Sequence, residues 1–158
     1  MEVATAVKHV SGGEEFPQSV EDVEGVVWPI PPSEATSLVR TAHRLRQVPI
    51  GELSTEDLRI MLSQNVGTAA ILPRALDRLE ANPLAAGDFY PGDLLRAALR
   101  LRQDQWLGPA GLLDKARGIA RRADAMIAEL DGTQAPELRR LILEFLSDRS
   151  GFDPGRTH

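Results

Sequence analysis

From Leu38 onward, apolar residues recur at spacings of three and four, and Ser, Thr, Asp, Gly or Pro interrupts each run. That pattern predicts amphipathic helices joined by short turns. Ser33 stands where it can cap a first helix whose stripe is Leu38, Ala42 and Leu45 and which ends before Pro49. Ser54-Thr55-Glu56-Asp57 reads as a cap with acids in the first turn, followed by Leu58, Met61 and Leu62 and stopped by Asn65-Val66-Gly67. Ala69, Ile71, Leu72, Leu76 and Leu79 form the next stripe, with Pro73 inside it. This helix either begins near Thr68 and carries the proline internally, or begins with Pro73 in its first turn; Asn82-Pro83 closes it.

Tyr90-Pro91-Gly92-Asp93 predicts another start, with Pro91 in the first turn, Asp93 on the positive helix end, and Leu94, Leu95, Ala98, Leu99 and Leu101 as the buried stripe. Gly108-Pro109 breaks the chain. Leu112, Ala116, Ile119, Ala120, Ala123, Ile127 and Leu130 then share one face as far as Asp131-Gly132, and a last helix from about Pro136 to Leu146 carries Leu138, Leu141, Ile142 and Phe145. No fixed-period repeat is visible. The expected fold is all-α: a compact single-domain bundle of about six helices over residues 33–150, with a frayed tail at 151–158.

Residues 1–32 break this rhythm with Gly12-Gly13, Pro17, Gly25 and Pro29-Ile30-Pro31-Pro32. An acidic, largely irregular arm is expected there, helix being disfavoured. Within it, Val26-Val27-Trp28 is a candidate extended segment whose indole docks on the body. Charge sharpens the division. The 158-residue chain carries 18 Lys and Arg against 23 Asp and Glu, a net charge of −5, and the first 32 residues hold six acids against Lys8 alone. The body is therefore balanced and the arm holds the excess. Such a balance argues against a protein that neutralises nucleic-acid phosphates and suits a basic partner or simple solubility. No apolar run is long enough for a bilayer, and no basic start leads into an apolar stretch, so the cytoplasm is the expected compartment.

Chemistry-bearing constellations are sparse. The chain has no cysteine, which excludes thiolate sites, and its histidines, at 9, 43 and 158, have no partner at metal-ligand spacing. No metal, cofactor or catalytic group is expected. Asp88 and Asp93 flank Phe89-Tyr90-Pro91-Gly92, but a turn former and a first-turn acid explain them better than an acid–base pair. Phe89, Tyr90 and Trp106 read as core or boundary anchors, with Tyr90 also able to present its hydroxyl to a partner. Arginines alternate with acids at Arg74, Asp77, Arg78 and Glu80 and again along the two final helices, the pattern of solvated ion-pair faces.

Asp57-Leu-Arg-Ile-Met-Leu-Ser-Gln64, Leu72-Pro-Arg-Ala-Leu76, Leu79-Glu-Ala-Asn-Pro-Leu84 and Gly87-Asp-Phe-Tyr-Pro-Gly-Asp-Leu-Leu95, followed by Trp106, resemble a family of immunity proteins of bacterial contact-dependent growth inhibition (CDI) systems. The resemblance spans about residues 48–107; the long N-terminal extension and Ala85-Ala86 depart from the family pattern. It implies a non-enzymatic cytoplasmic protein that binds and neutralises the C-terminal toxin domain of a cognate effector, and such toxins are often nucleases. Glu80, Asp88, Tyr90 and Asp93 are the candidate partner-binding residues. A helical regulator or adaptor that binds nucleic acid or another protein is the alternative of a different class.

Overall fold

The computed structural model describes residues 18–106, 111–129 and 136–147. Seven α-helices are present among them: α1 (Val20–Glu24), α2 (Ser37–Leu45), α3 (Thr55–Ser63), α4 (Thr68–Ala81), α5 (Asp93–Leu99), α6 (Leu112–Glu129) and α7 (Pro136–Ser147). Single 3₁₀ turns at Ile50–Glu52 and Gln103–Trp106 complete the regular structure. The α4 helix packs against α1, α3, α5 and α6, while α3 pairs with α5 and α7 closes over α5 and α6.

Local chemistry explains most of the helix ends. Ser54 and Asp57 form a reciprocal capping box at α3, each side chain accepting the other's backbone N–H at 3.0 Å. Asn65 and Gly67 then turn the chain through left-handed backbone into α4. Of the two readings of Pro73, the structure adopts the long helix from Thr68 with the proline internal. Side chains behind these caps supply the core: Leu58, Met61 and Leu62 of α3, Ile71, Leu72, Ala75, Leu76 and Leu79 of α4, and Leu94, Leu95 and Ala98 of α5 are all buried. Removing such a leucine side chain typically costs about 2–5 kcal/mol. Ala116, Ile119, Ala120, Ala123 and Ile127 form the inward stripe of α6, and Leu138 and Ile142 that of α7. Leu130, Gly108-Pro109, Asp131-Gly132 and the tail lie outside the described residues, as do Glu2, Lys8, Glu14 and Glu15 of the arm.

Four expectations need correction. Helix was disfavoured before residue 33, yet α1 forms there because Ser19 and Asp22 make a second capping box and Val20 is fully buried. Backbone bonds from Glu21 N to Arg46 O and from Ile50 N to Gln18 O tie this turn to the body. The cap of α2 is Thr36 rather than Ser33, whose hydroxyl donates to Glu34, and Leu38, expected in the stripe with Ala42 and Leu45, lies on the surface at 40% exposure. Burial passes instead to Arg46, just past the helix end, at 1% exposure. Third, Pro91 precedes α5 rather than entering its first turn, since Gly92 at φ 97° is the N-cap. Finally, Arg78 leaves the acids of its own helix for the Leu53 carbonyl and Thr55 Oγ1, and Arg74 donates to the Gly51 carbonyl, whereas Asp77 and Glu80 pair with Lys115 of α6.

Candidate functional site

The segment between α4 and α5 is irregular but tightly organised. Asn82 closes α4 and uses its side chain to accept from Leu84 N, Ala86 and Pro91 form an isolated antiparallel bridge, and Gly92 N donates to Leu84 O. Gly92 is required twice over. Its positive φ favours glycine, and a Cβ would stand 2.6 Å from Leu138 Cδ2 of α7.

Asp93, the first residue of α5, is 3% exposed and governs the loop. Its Oδ1 accepts from Gly87 N at 2.6 Å, and its Oδ2 accepts from Phe89 N at 3.0 Å and Tyr90 N at 3.5 Å. A carboxylate at a helix N-terminus is also favoured by the helix dipole. Glu56, in the first turn of α3, braces the loop from the other side by accepting from Asp88 N at 2.8 Å. Both carboxylates converge on Gly87, where any Cβ would collide with Glu56 Oε1 and lie 3.1 Å from Asp93 Oδ2.

Arg59 completes the brace. Its guanidinium forks onto Glu56, Nε to Oε1 at 2.7 Å and Nη2 to Oε2 at 2.5 Å, lies 3.9 Å from Asp93 Oδ2, and stacks 4.4 Å from the Phe89 ring centroid. The hydrogen bonds from Arg59, aided by the Asp88 N–H, hold the Glu56 carboxyl below the usual carboxylate range against the opposing effect of burial. The same pairing raises the Arg59 pKa.

The braced loop turns its aromatic residues outward. Phe89 is 68% exposed and Tyr90 40%, so of the core or boundary positions expected for the trio neither takes a core one; Trp106 alone is buried, meeting Phe145 edge to face with ring centroids 5.6 Å apart. The reason is that Asp93 captures the loop N–H groups from the protein side, leaving the side chains between them to point to solvent. Asp88, Tyr90 and Asp93 therefore share one structural unit, with Asp88 exposed beside the rings and Asp93 behind them. Glu80 is not part of it: it lies on α4, 3.3 Å from Lys115 Nζ. Glu56 and Arg59 were not among the candidate site residues. Arg59 stands in the Asp57-Leu58-Arg59 segment that carried the family resemblance, and Glu56 was legible only as a first-turn acid, since its contact with Asp88 spans 32 residues.

A second braced segment lies in the arm. The buried Arg46 donates to Glu24 Oε1 at 2.7 Å and, through both terminal nitrogens, to the Val26 carbonyl at 3.2 and 2.9 Å. The Trp28 indole, expected to dock on the body, lies 4.4 Å from the Arg46 guanidinium carbon, and His43 Nε2 is 3.4 Å from the Trp28 carbonyl. Val27 and Ile30 remain exposed. Of the arm's acids, Asp22 is used in a cap and Glu24 in this ion pair, so both have structural work.

Fold and site together define an all-helical domain that presents a braced aromatic loop. The chain belongs to the CDI immunity proteins, the family whose profile matches residues 22–115. The match runs from α1 into α6, further in both directions than the segment from 48 to 107 that carried the resemblance, and takes in Glu24, Arg46, Trp28 and the whole braced loop. No curated protein matches the sequence. Among the described residues, no helix is long and apolar enough to cross a membrane.

Proposed function

We propose that this chain acts in the cytoplasm as a non-catalytic inhibitor, binding the C-terminal toxin domain of its cognate effector and using the 87–91 loop as a principal contact. Family membership supports a CDI toxin as the target. The observation that carries the contact is the exposure of Phe89 and Tyr90 on a loop whose backbone is already hydrogen-bonded to Asp93 and Glu56. Aromatic side chains held rigid before binding lose little conformational entropy on docking, which suits them to be interface anchors. Asp93 then acts from behind as a positioning residue, while Asp88 beside the rings and Glu80 on α4 offer carboxylates to basic groups of the toxin. A nuclease is the toxin class these acids fit best, since its active site must be basic to hold phosphate.

Mixing the chain with the toxin domain encoded immediately upstream should give a stoichiometric complex and abolish toxicity. The pair Phe89→Ala and Tyr90→Ala should weaken that complex by about 10- to 100-fold with little change in unfolding midpoint, because both side chains are largely outside the core. Absence of a complex at micromolar concentration would refute the reading.

A further inference from the structure

Beside the braced loop, a groove opens between α3 and α5, lined by Arg59, Ser63, Phe89, Tyr90, Arg96 and Arg100 among its residues. Its arginines are in different states. Arg59 is committed to Glu56 and stacked on Phe89. Arg96 has a distant ion-pair partner in Glu137 at 3.7 Å, beyond hydrogen-bonding reach, and its buried Nε has no hydrogen-bond partner. Arg100, exposed at the end of α5, makes no ion pair among the described residues. The Nε of buried Arg46 is likewise unpartnered, but its terminal nitrogens reach Glu24 and Val26 and those of Arg78 reach Leu53 and Thr55, whereas the terminal nitrogens of Arg96 make no hydrogen bond among the described residues. The groove is thus short of acceptors. Its own wall carboxylate, Asp93, already accepts from Gly87, Phe89 and Tyr90.

Geometry restricts what can supply the missing acceptors. Arg96 and Arg100 are four residues apart on one helix face, which separates their Cβ atoms by about 6 Å. Alternate residues of an extended strand project to one side about 7 Å apart. Two acidic residues separated by one position therefore match the two guanidiniums, each of which can bind a carboxylate through two parallel hydrogen bonds. A nucleic-acid backbone fits less well, because the flanks are acidic: Asp88 is exposed on the loop and Glu137 stands against Arg96. A phosphate chain leaving the groove would run along both charges, whereas a short acidic peptide meets only Glu137, whose 3.7 Å contact with Arg96 its carboxylate would replace.

We propose that the groove between α3 and α5 receives an extended acidic segment of the toxin domain, with alternate carboxylates on Arg96 and Arg100 and an apolar side chain against Phe89 and Tyr90. The proposal rests on the toxin-binding reading above. It also divides recognition by sign: the acids of this chain face basic groups of the toxin, and this groove faces its acids.

Calorimetric titration of the upstream toxin domain into the full chain tests it. Affinity should fall by about 100-fold or more for the double variant Arg96→Glu and Arg100→Glu, by about 10-fold for Arg100→Glu alone, and by less for Arg100→Lys, which keeps the charge but loses the fork. Arg100 is exposed, so Arg100→Glu remains informative if the double variant fails to fold. Equal affinity of Arg100→Glu and the unaltered chain would overturn the groove and leave toxin binding intact. No binding by the unaltered chain would overturn both. In a parallel anisotropy titration with a labelled single-stranded RNA of about 20 nucleotides, no binding is expected; binding that Arg100→Glu removes would overturn the peptide assignment in favour of nucleic acid.

Discussion

The loop before α5 and the strap after α1 are both irregular, and each is held by one nearly buried ionic side chain, Asp93 in the first and Arg46 in the second. Asp93 is an acceptor that gathers N–H groups three to six residues away, so its loop and the start of its helix form as one local unit. Arg46 is a donor that reaches back 20 to 22 residues to Val26 and Glu24, and its bonds exist only once α1 and α2 have docked. A local acceptor thus shapes a presented surface, whereas a distant donor staples a terminal segment to the body. Their outward faces are alike in one respect: each shows a partly exposed aromatic ring stacked 4.4 Å from an arginine, Phe89 on Arg59 and Trp28 on Arg46.

Breaking the staple should have the largest effect. Arg46→Ala removes a large buried side chain and leaves the Val26 carbonyl without its donors, at a cost of about 2–4 kcal/mol. Glu24 is more than a third exposed and can rehydrate, which keeps the penalty below that of a fully buried pair. Urea unfolding would measure the loss, and emission from Trp28, released from the guanidinium, should shift to the red.

Asp93→Ala should cost about 1–3 kcal/mol by leaving the Gly87 and Phe89 N–H groups without their acceptor. Amide hydrogen exchange at Gly87 and Phe89 should accelerate, while Trp28 emission stays as it was. A shift in Trp28 emission would show that the two segments are coupled rather than independent. The toxin complex should weaken too, although Asp93 is only 3% exposed, because the aromatic pair would lose its preorganised backbone.

The smallest effect belongs to Glu56. Its carboxyl titrates lower in the folded protein than in the unfolded chain, so the stability it contributes is present above the ordinary carboxylate range and is lost as pH falls through the depressed folded value. Glu56→Gln should cost about 0.5–1 kcal/mol at neutral pH and flatten the fall in stability between about pH 5 and pH 3. Parallel unfolding series at neutral pH and at about pH 3 would check the sign: the variant and the unaltered chain should differ at neutral pH and converge in acid.

Several features of the fold and site were legible because their chemistry acts over three to six residues. The Ser54–Asp57 box, the Asn65–Gly67 reversal, the Asp93 start of α5 and the stripes of α4, α6 and α7 all follow from caps, backbone conformation and helical period. Of the four candidate residues, Asp88, Tyr90 and Asp93 lie in one structural unit and Glu80 lies apart on α4. What escaped was direction. Leu38 reads as core and Phe89 as a core or boundary anchor, but both are exposed, Phe89 with its own N–H captured behind it by Asp93.

By itself, the sequence determined the helical class, most helix boundaries, the concentration of acidic charge in the first 32 residues, and the family motif around Gly87–Asp93. Those are consequences of short-range spacing and composition. Tertiary structure alone decided that Arg46 is buried against Glu24 and Trp28, that Glu56 reaches Asp88 across 32 residues, and that Arg96 and Arg100 share a groove with the exposed rings. The physical reason is common to all of these. A charged side chain carries no mark of whether it will face water, cap a helix or close a distant loop, and that choice is made by whichever opposite partner the packed helices bring within reach.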